Sequence, residues 1–502
     1  MQEPSIAELT EENKFLKTEL ERLNGIILLF KKSKFGSKSE RVEELPSEQL
    51  IFNEFEIEAS LPIQAGATET IIYIRKKGRA KKKAFPADLP REEKIIDLRE
   101  EEKICPHDGT QLKEIGEERT EKLKTVPAQM SIIVEVKKKY SCPCCESYMV
   151  QPKANSILPG TIATPELLSF IIFSKFFQAL PLYRLEELFK LNGICLKRGT
   201  MARWMVQVKE QLVPIFNLLQ DKAFESKYMA IDATHVQVLK EPGRDAQTKS
   251  FMWARGSPEQ GIVLFDYDPS GGGKIAKELI CGFTGTLQAD AHRGYGILDR
   301  KDLLLLGCMM HSRRRFHQAF LVGGKKPGIA SEALAMFKWL YDKEDTYKIN
   351  GLTPAERKII REKEIAPSLE AMKTWMESKL MAVPKSSPLG NALNYYIAEY
   401  PELSAFLADG RYEMDNGWLE RTIRKFAVGR NNWLFCDTVE GAHTSSLLYS
   451  LTITAKLNGK DPFKVMTEIF KSLPFTKTLE DYEKLTDLLL SPRNDLSCRK
   501  KG

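Results

Sequence analysis

No stretch of the 502-residue chain is apolar over the length a membrane span requires, and the residues after Met1 are acidic and polar where a secretory leader would be basic and then apolar. These absences predict a soluble, intracellular protein with no membrane partner. Cysteine is scarce. There are nine, an odd number, and four of them fall between Cys105 and Cys145. That distribution argues against a disulfide framework and for metal ligation or free thiols. Net charge is also low, because 75 Lys and Arg face 68 Asp and Glu, leaving +7. The excess is informative only through its clustering: Lys31, Lys32 and Lys34 with Lys38 and Arg41, then Arg75–Lys83, Lys137–Lys139 and Arg313–Arg315. Such clusters attract phosphate backbones, through contacts that weaken as salt rises.

Against that background three acidic residues stand in unusual settings. Asp232 lies inside Tyr228–Leu239, an apolar, β-branched run that reads as a buried strand. Asp290 ends a second such run, Gly285–His292, and Glu420 lies in Asp415–Arg424, which has helical spacing. Two strand carboxylates and one helix carboxylate can converge on a pair of Mg²⁺ ions. A phosphodiester is anionic and slow to be attacked, and hard divalent cations with oxygen ligands answer both difficulties. Asp266 and Asp268 compete for the role, but they run into the turn chemistry of Pro269–Gly273, which predicts a solvated strand end.

Around these acids the chain divides into segments. Residues 1–34 carry heptads, with Leu9, Leu16, Leu23 and Phe30 in one series and Ile6, Asn13, Leu20 and Ile27 in the other. A lone Asn at an a position sets register, so a coiled-coil zipper and a homo-oligomer, at least a dimer, are expected. Residues 35–100 form a basic linker and DNA-contacting arm, in which Lys76, Lys77 and Arg79 around Gly78 suit an A·T-rich minor groove. Residues 101–155 read as a zinc-binding ribbon, with Cys142 and Cys145 as one C-x-x-C pair and Cys105 opening the other knuckle. Asp108 stands where a fourth cysteine would complete that knuckle, so His107, Asp108 or Cys144 supplies the last ligand, with His107 preferred.

Residues 156–222 suggest a helix-turn-helix: a helix over Leu182–Leu191, a turn at Asn192–Gly193, and a second helix over Arg198–Val208 capped by Thr200. Arg198 and Arg203 are its candidate phosphate contacts. Strands then follow over Tyr228–Leu239, Ser250–Arg255, Gly261–Tyr267, Gly285–Ala289 and Leu303–Met310, with a helix over Gly273–Gly282. The fold class expected is multidomain α/β. A mixed sheet of the ribonuclease H type begins in residues 223–330, is interrupted by a helical insertion over 331–410, and is completed by 411–440, which carries the third acid. Residues 441–502 are a helical C-terminal region.

With those residues placed, the chain resembles DDE transposases of the insertion-sequence-66 family over nearly its whole length. The resemblance is carried by Phe35–Arg41, Pro86–Arg91, Cys105–Gly109, Leu180–Arg184, Leu287–Asp290 with Gly294 and Tyr295, and Cys308 with His311. Asp415 and Asn416 with Glu420 and Arg421, Gly429–Phe435 and Thr454–Gly459 extend it. It implies an acidic triad at Asp232, Asp290 and Glu420, and Mg²⁺-dependent cleavage at transposon ends followed by strand transfer into target DNA. Two Mg²⁺ ions and one structural Zn²⁺ are the implied cofactors. Double-stranded DNA, as terminal repeats and as target, is the implied partner, with small accessory proteins of the same element. The setting implied is the bacterial cytoplasm, at the nucleoid.

Arg421 and Arg424 are expected to steady the phosphate or their own helix, and His292, His311 and Asn416 to support the site. Two positions depart from the family pattern: Ala233 follows Asp232 where an acid is common, and Asp108 replaces a cysteine. A structure-specific nuclease of the same fold, or a DNA-binding regulator without chemistry, are the alternatives. Joining of a 3′-hydroxyl end to a second duplex separates them from a transposase.

Overall fold

The structure is a computed structural model that describes residues 130–136, 140–141, 149–150, 155–290 and 301–490. The heptads, the basic arm with Lys76, Lys77 and Arg79, the ribbon residues Cys105, His107, Cys142 and Cys145, and His292 lie outside the described residues. The chain separates into two compact units, one of residues 39–152 and one of residues 1–38 with 153–502. In the smaller unit, two short strands, β1 (Tyr140–Ser141) and β2 (Met149–Val150), pair antiparallel.

The larger unit is organised by β3 (Tyr228–Lys240), whose first four residues are buried on both faces. β4 (Lys249–Ser257) pairs with it antiparallel, and β5 (Ile262–Asp268) pairs antiparallel with β4. After a short helix, α4 (Gly273–Leu279), the chain returns as β6 (Gly285–Gln288) and then β7 (Leu303–Leu306), both running parallel to β3. The sheet order is β5-β4-β3-β6-β7. β7 stops at Leu306, short of the expected Met310, because a helix begins at Met309.

β3 outruns its neighbour. β6 pairs only as far as Ala230, and β8 (Cys436–Thr438) pairs only from Val238 onward, on the same edge. The backbone between them would be left without ladder partners, which is costly inside a fold. α11 (Gly417–Trp433) covers the gap: the Asn416 side-chain amide at its start donates to the Ile231 carbonyl at 3.2 Å, and Arg430 near its end donates to Thr234 Oγ1 at 3.1 Å and to the His235 carbonyl.

β5, at the other edge of the sheet, is answered by side chains. α12 (Val439–Leu457) lays Ser450 and Thr454 against it, so that Ser450 Oγ accepts from Phe265 N at 2.7 Å and Thr454 Oγ1 accepts from Val263 N at 3.1 Å. This explains a buried helix so rich in Ser and Thr, since those hydroxyls replace a missing strand. α1 (Pro165–Ile172), α2 (Leu182–Leu191) and α3 (Arg198–Phe224) precede the sheet, and α13 (Pro462–Ser472) and α14 (Leu479–Leu489) close the described chain.

The second helix of the expected helix-turn-helix is thus 27 residues long and continues through Pro214. Its face of Met201, Trp204, Met205, Val208, Leu212, Ile215 and Leu219 is buried in the main core. Lys197 is its cap residue, and Thr200 falls inside its first turn.

Between β7 and α11 a second apolar cluster forms on α5 (Met309–Val322), α6 (Ile329–Ile349), α7 (Pro354–Ile360), α8 (Ala366–Leu380), α9 (Pro388–Ala398) and α10 (Tyr400–Ser404). A buried bidentate pair ties it together: Arg361 donates to both carboxylate oxygens of Glu344 at 2.7 Å. The same guanidinium donates to the carbonyls of Phe406, Asp409 and Tyr412, fixing the loop that leads into α11.

Candidate active site

The register of the sheet brings the first two acids together. Ala230 pairs with Gln288, so Asp232 on β3 and Asp290 beyond β6 each stand two residues past the last pair. With a side-chain period of two they share one face of the sheet. Asn416 anchors the start of α11 to Ile231, and Glu420 follows one turn later, above the same place.

Asp232 is half-buried, and Oδ1 accepts from the Ala233 amide at 2.7 Å. Burial, together with the nearby carboxylates of Glu420 and Asp290, pushes its carboxyl up to about 7, against a lowering by the Ala233 amide and Arg314. A carboxylate whose ionisation is opposed by burial and by two neighbouring acids calls for a cation beside it. Asn416 Oδ1 is a further buried oxygen without a hydrogen-bond partner. Oxygen donors of this kind fit hard divalent cations.

Histidine and basic side chains from α5 complete the surroundings. His311, in its first turn, lies between two acids, with Nε2 3.6 Å from Asp290 Oδ2 and Nδ1 3.7 Å from Glu420 Oε1. Arg314, one turn on, is 3.7 Å from Glu420 Oε2 and exposed. Cys308, immediately before the helix, accepts from the Asn416 amide at 3.3 Å and points its thiol at Glu420 Oε1, 3.8 Å away. Burial and the charges of Glu420 and Asp415 push that thiol well above its usual range. From α9, Tyr395 donates to Asp290 Oδ1 at 3.3 Å, and the Arg315 guanidinium lies 4.0 Å from the centre of its ring.

Of the residues expected from sequence, Asp232, Asp290, Glu420, His311 and Asn416 therefore come together. Arg421 and Arg424 are exposed on α11, and Arg198 and Arg203 are exposed on α3. Asp266 is engaged elsewhere, bridged to Arg255 at 2.9 Å, and Asp268 accepts from Ser270 N in the turn. Sequence reasoning missed Arg314, Arg315, Cys308 and Tyr395 as neighbours of the acids. The basic run Arg313–Arg315 and the Cys308/His311 spacing were visible signals for three of them. Nothing local marked Tyr395.

Comparison with known proteins gives the chain's family. The chain matches the Transposase IS66 family over residues 160–444, the zinc-finger binding domain of transposase IS66 over 102–146, and the transposase C of IS166 homeodomain over 22–93. It belongs to the IS66 transposase family. Among relatives, uncharacterized protein y4jD of Sinorhizobium fredii is 29% identical over 404 residues, covering 78% of each chain. Uncharacterized protein y4qI of the same organism is 27% identical over 482 residues, covering 92% of this chain and 88% of its own. Membership points to DNA as a partner, and the zinc-finger match supports zinc binding in residues 102–146. Among the described residues no helix is long and apolar enough to cross a membrane.

Proposed function

We propose that the chain is a DDE transposase that cuts DNA at transposon ends and joins the freed 3′-hydroxyl to target DNA, with Asp232, Asp290 and Glu420 as its catalytic carboxylates. The observation that carries the reading is the convergence of these three acids from β3, the end of β6 and α11, close enough that two of them help lift the third to about 7. The strand order, with three antiparallel strands followed by two parallel ones on the opposite side of the first, supports a ribonuclease H type of sheet.

Asp232, Asp290 and Glu420 would hold two Mg²⁺ ions. Such ions, when bound, neutralise phosphoryl charge and make an oxygen nucleophile available at neutral pH. The chain's own groups do the rest. His311 and Tyr395 hold the Asp290 carboxylate in position, and Asn416 locks the start of α11 so that Glu420 faces the strands. Exposed Arg314, Arg421 and Arg424 offer guanidinium forks to the phosphates on either side of the cut. Lys76, Lys77, Arg79, Arg198 and Arg203 extend the phosphate contacts along the duplex, while Cys105, His107, Cys142 and Cys145 hold one Zn²⁺ that folds the ribbon.

The test is a set of near-isosteric changes. Asp232→Asn, Asp290→Asn and Glu420→Gln each remove one ligand charge with little change of shape, so each should abolish Mg²⁺-dependent strand cleavage while binding to the ends persists. Substantial cleavage by any of them would remove that residue from the site. Cleavage by the unaltered chain without joining would favour a nuclease.

A further inference from the structure

We infer that Cys308, His311 and Glu420 form a second, soft-cation site that shares Glu420 with the catalytic acids, and that Zn²⁺ or another thiophilic divalent ion binding there inhibits the enzyme. The inference rests on the catalytic reading for its effect on cleavage, and on geometry alone for binding. One donor atom from each of the three residues lies within 4.8 Å of the others. Sγ stands 3.8 Å and His311 Nδ1 3.7 Å from the same oxygen, Glu420 Oε1. A tetrahedral ion about 2.3 Å from sulfur and about 2.0 Å from nitrogen and oxygen would set those two edges at roughly 3.5 and 3.3 Å. Closing on an ion therefore asks for side-chain movements of roughly 1 Å or less along these edges.

Two further features point to a ligand. His311 Nδ1 is a buried ring nitrogen without a hydrogen-bond partner, and it is aimed into the cluster. Its other nitrogen, Nε2, faces Asp290 Oδ2 at 3.6 Å, the carboxylate–imidazole relation that orients a histidine ligand. The local fold supplies the spacing, since Cys308 precedes α5 and His311 sits in its first turn, three residues on.

Occupancy would have a chemical consequence. Cys308 would release its thiol proton to solvent and bind as thiolate, and Glu420 would turn its oxygen to the soft ion. Asp290 would be held by the His311 N–H. Two of the three acids would thereby be drawn away from hard cations, so Zn²⁺ would act against Mg²⁺ without resembling it. Thiolate and imidazole together favour Zn²⁺ and Cd²⁺ and discriminate against Mg²⁺ and Ca²⁺.

The experiment counts metal on the full-length chain and on full-length Cys308→Ser, in which a hydroxyl can still accept from the Asn416 amide. Equilibrium dialysis against Zn²⁺ should give one equivalent fewer for Cys308→Ser, with the ribbon's zinc unchanged in both. With Co²⁺ in place of Zn²⁺, Cys308→Ser should lack the corresponding share of the thiolate-to-cobalt charge-transfer absorption seen in the unaltered chain. His311→Asn, read by metal count alone, should lose the same equivalent, which covers the case in which the serine variant fails to fold. Zn²⁺ titrated against Mg²⁺-dependent cleavage should inhibit the unaltered chain, and Cys308→Ser should need about 10-fold or more Zn²⁺ for the same inhibition. Equal metal counts in all three chains would overturn the site. Equal inhibition of the unaltered and serine chains would overturn its regulatory role. Absence of cleavage in Mg²⁺ would count against the transposase reading and leave the metal count to decide this one.

Discussion

Charge buried beside a sheet has to be answered by something, and Glu241 and Asp232 are answered in opposite ways. Burial works against ionisation of Glu241, yet hydrogen bonds from Ser250, Tyr267 and Arg244 hold it below its ordinary value of 4.5. Ser250 Oγ and the Tyr267 hydroxyl each donate to it at 2.6 Å. At Asp232 burial and two nearby acids outweigh the Ala233 amide and the charge of Arg314, so it is pushed the other way. The first arrangement stabilises the fold, and the second leaves a cost that a bound cation would relieve. Because the Glu241 value is depressed in the folded chain, its contribution is present above pH 4.5 and is lost as pH falls below that toward the folded value. Glu241→Gln should therefore be less stable at neutral pH, and the gap in urea midpoint should close on acidification from about pH 6 to about pH 3. A gap that stayed constant over that range would show that Glu241 titrates as it does in the unfolded chain. Asp232, Asp290 and Glu420 were legible in the sequence because each interrupts or ends a patterned run. Glu241, Cys308 and Tyr395 were not legible as partners, since the groups they meet are brought together by turns, a helix start and a long helical segment that leave no local pattern.

At the scale of elements, periodicity read β3, β4 and β5 to within a few residues, because a strand buried on both faces is apolar throughout. It failed where tertiary packing decided the outcome. The sequence suggests a short recognition-like helix for α3, yet its buried apolar stripe runs from Met201 to Ala223 and faces the core, while Arg198, Arg203, Gln207, Glu210, Asn217 and Asp221 are exposed. The three-residue strand β8 has no pattern of its own and exists because the second half of β3 needs a partner. α11 was read as helical, but not the close approach that fixes it. A side chain at Gly429 would overlap the hydroxyl of Tyr449 and crowd Trp433 Nε1, and Tyr449 is fully buried on α12 and cannot swing aside. Gly429→Ala should push α11 away from α12 and destabilise the protein by about 1–3 kcal/mol. Adding Tyr449→Phe, which removes the overlapping oxygen, should recover part of that loss. Chemical denaturation of the single and double variants checks both statements, and a single variant as stable as the unaltered chain would mean the two helices are not in contact at Gly429.

For the whole molecule, the question is how one catalytic unit serves an element that has two ends. In the described core the sheet and the helices between β7 and α11 each build a buried apolar cluster. The heptads of residues 1–34 are different. In the expected coiled-coil reading, an apolar seam of Leu9, Leu16, Leu23 and Phe30 calls for a partner helix to cover it. Under the proposed transposase reading, pairing with the same seam of a second copy would cover it and set two catalytic units on one assembly, each available to one DNA end. Replacing Leu16 and Leu23 with Glu places four like charges in a dimeric seam, so the full-length chain should sediment as a monomer while its core melts at an unchanged temperature. End binding should weaken, because two linked contacts with DNA exceed one by the effective concentration their connection provides. If removal of residues 1–34 left the sedimenting mass per chain count unchanged, the contact between copies would have to lie in the core, and the seam would need another occupant.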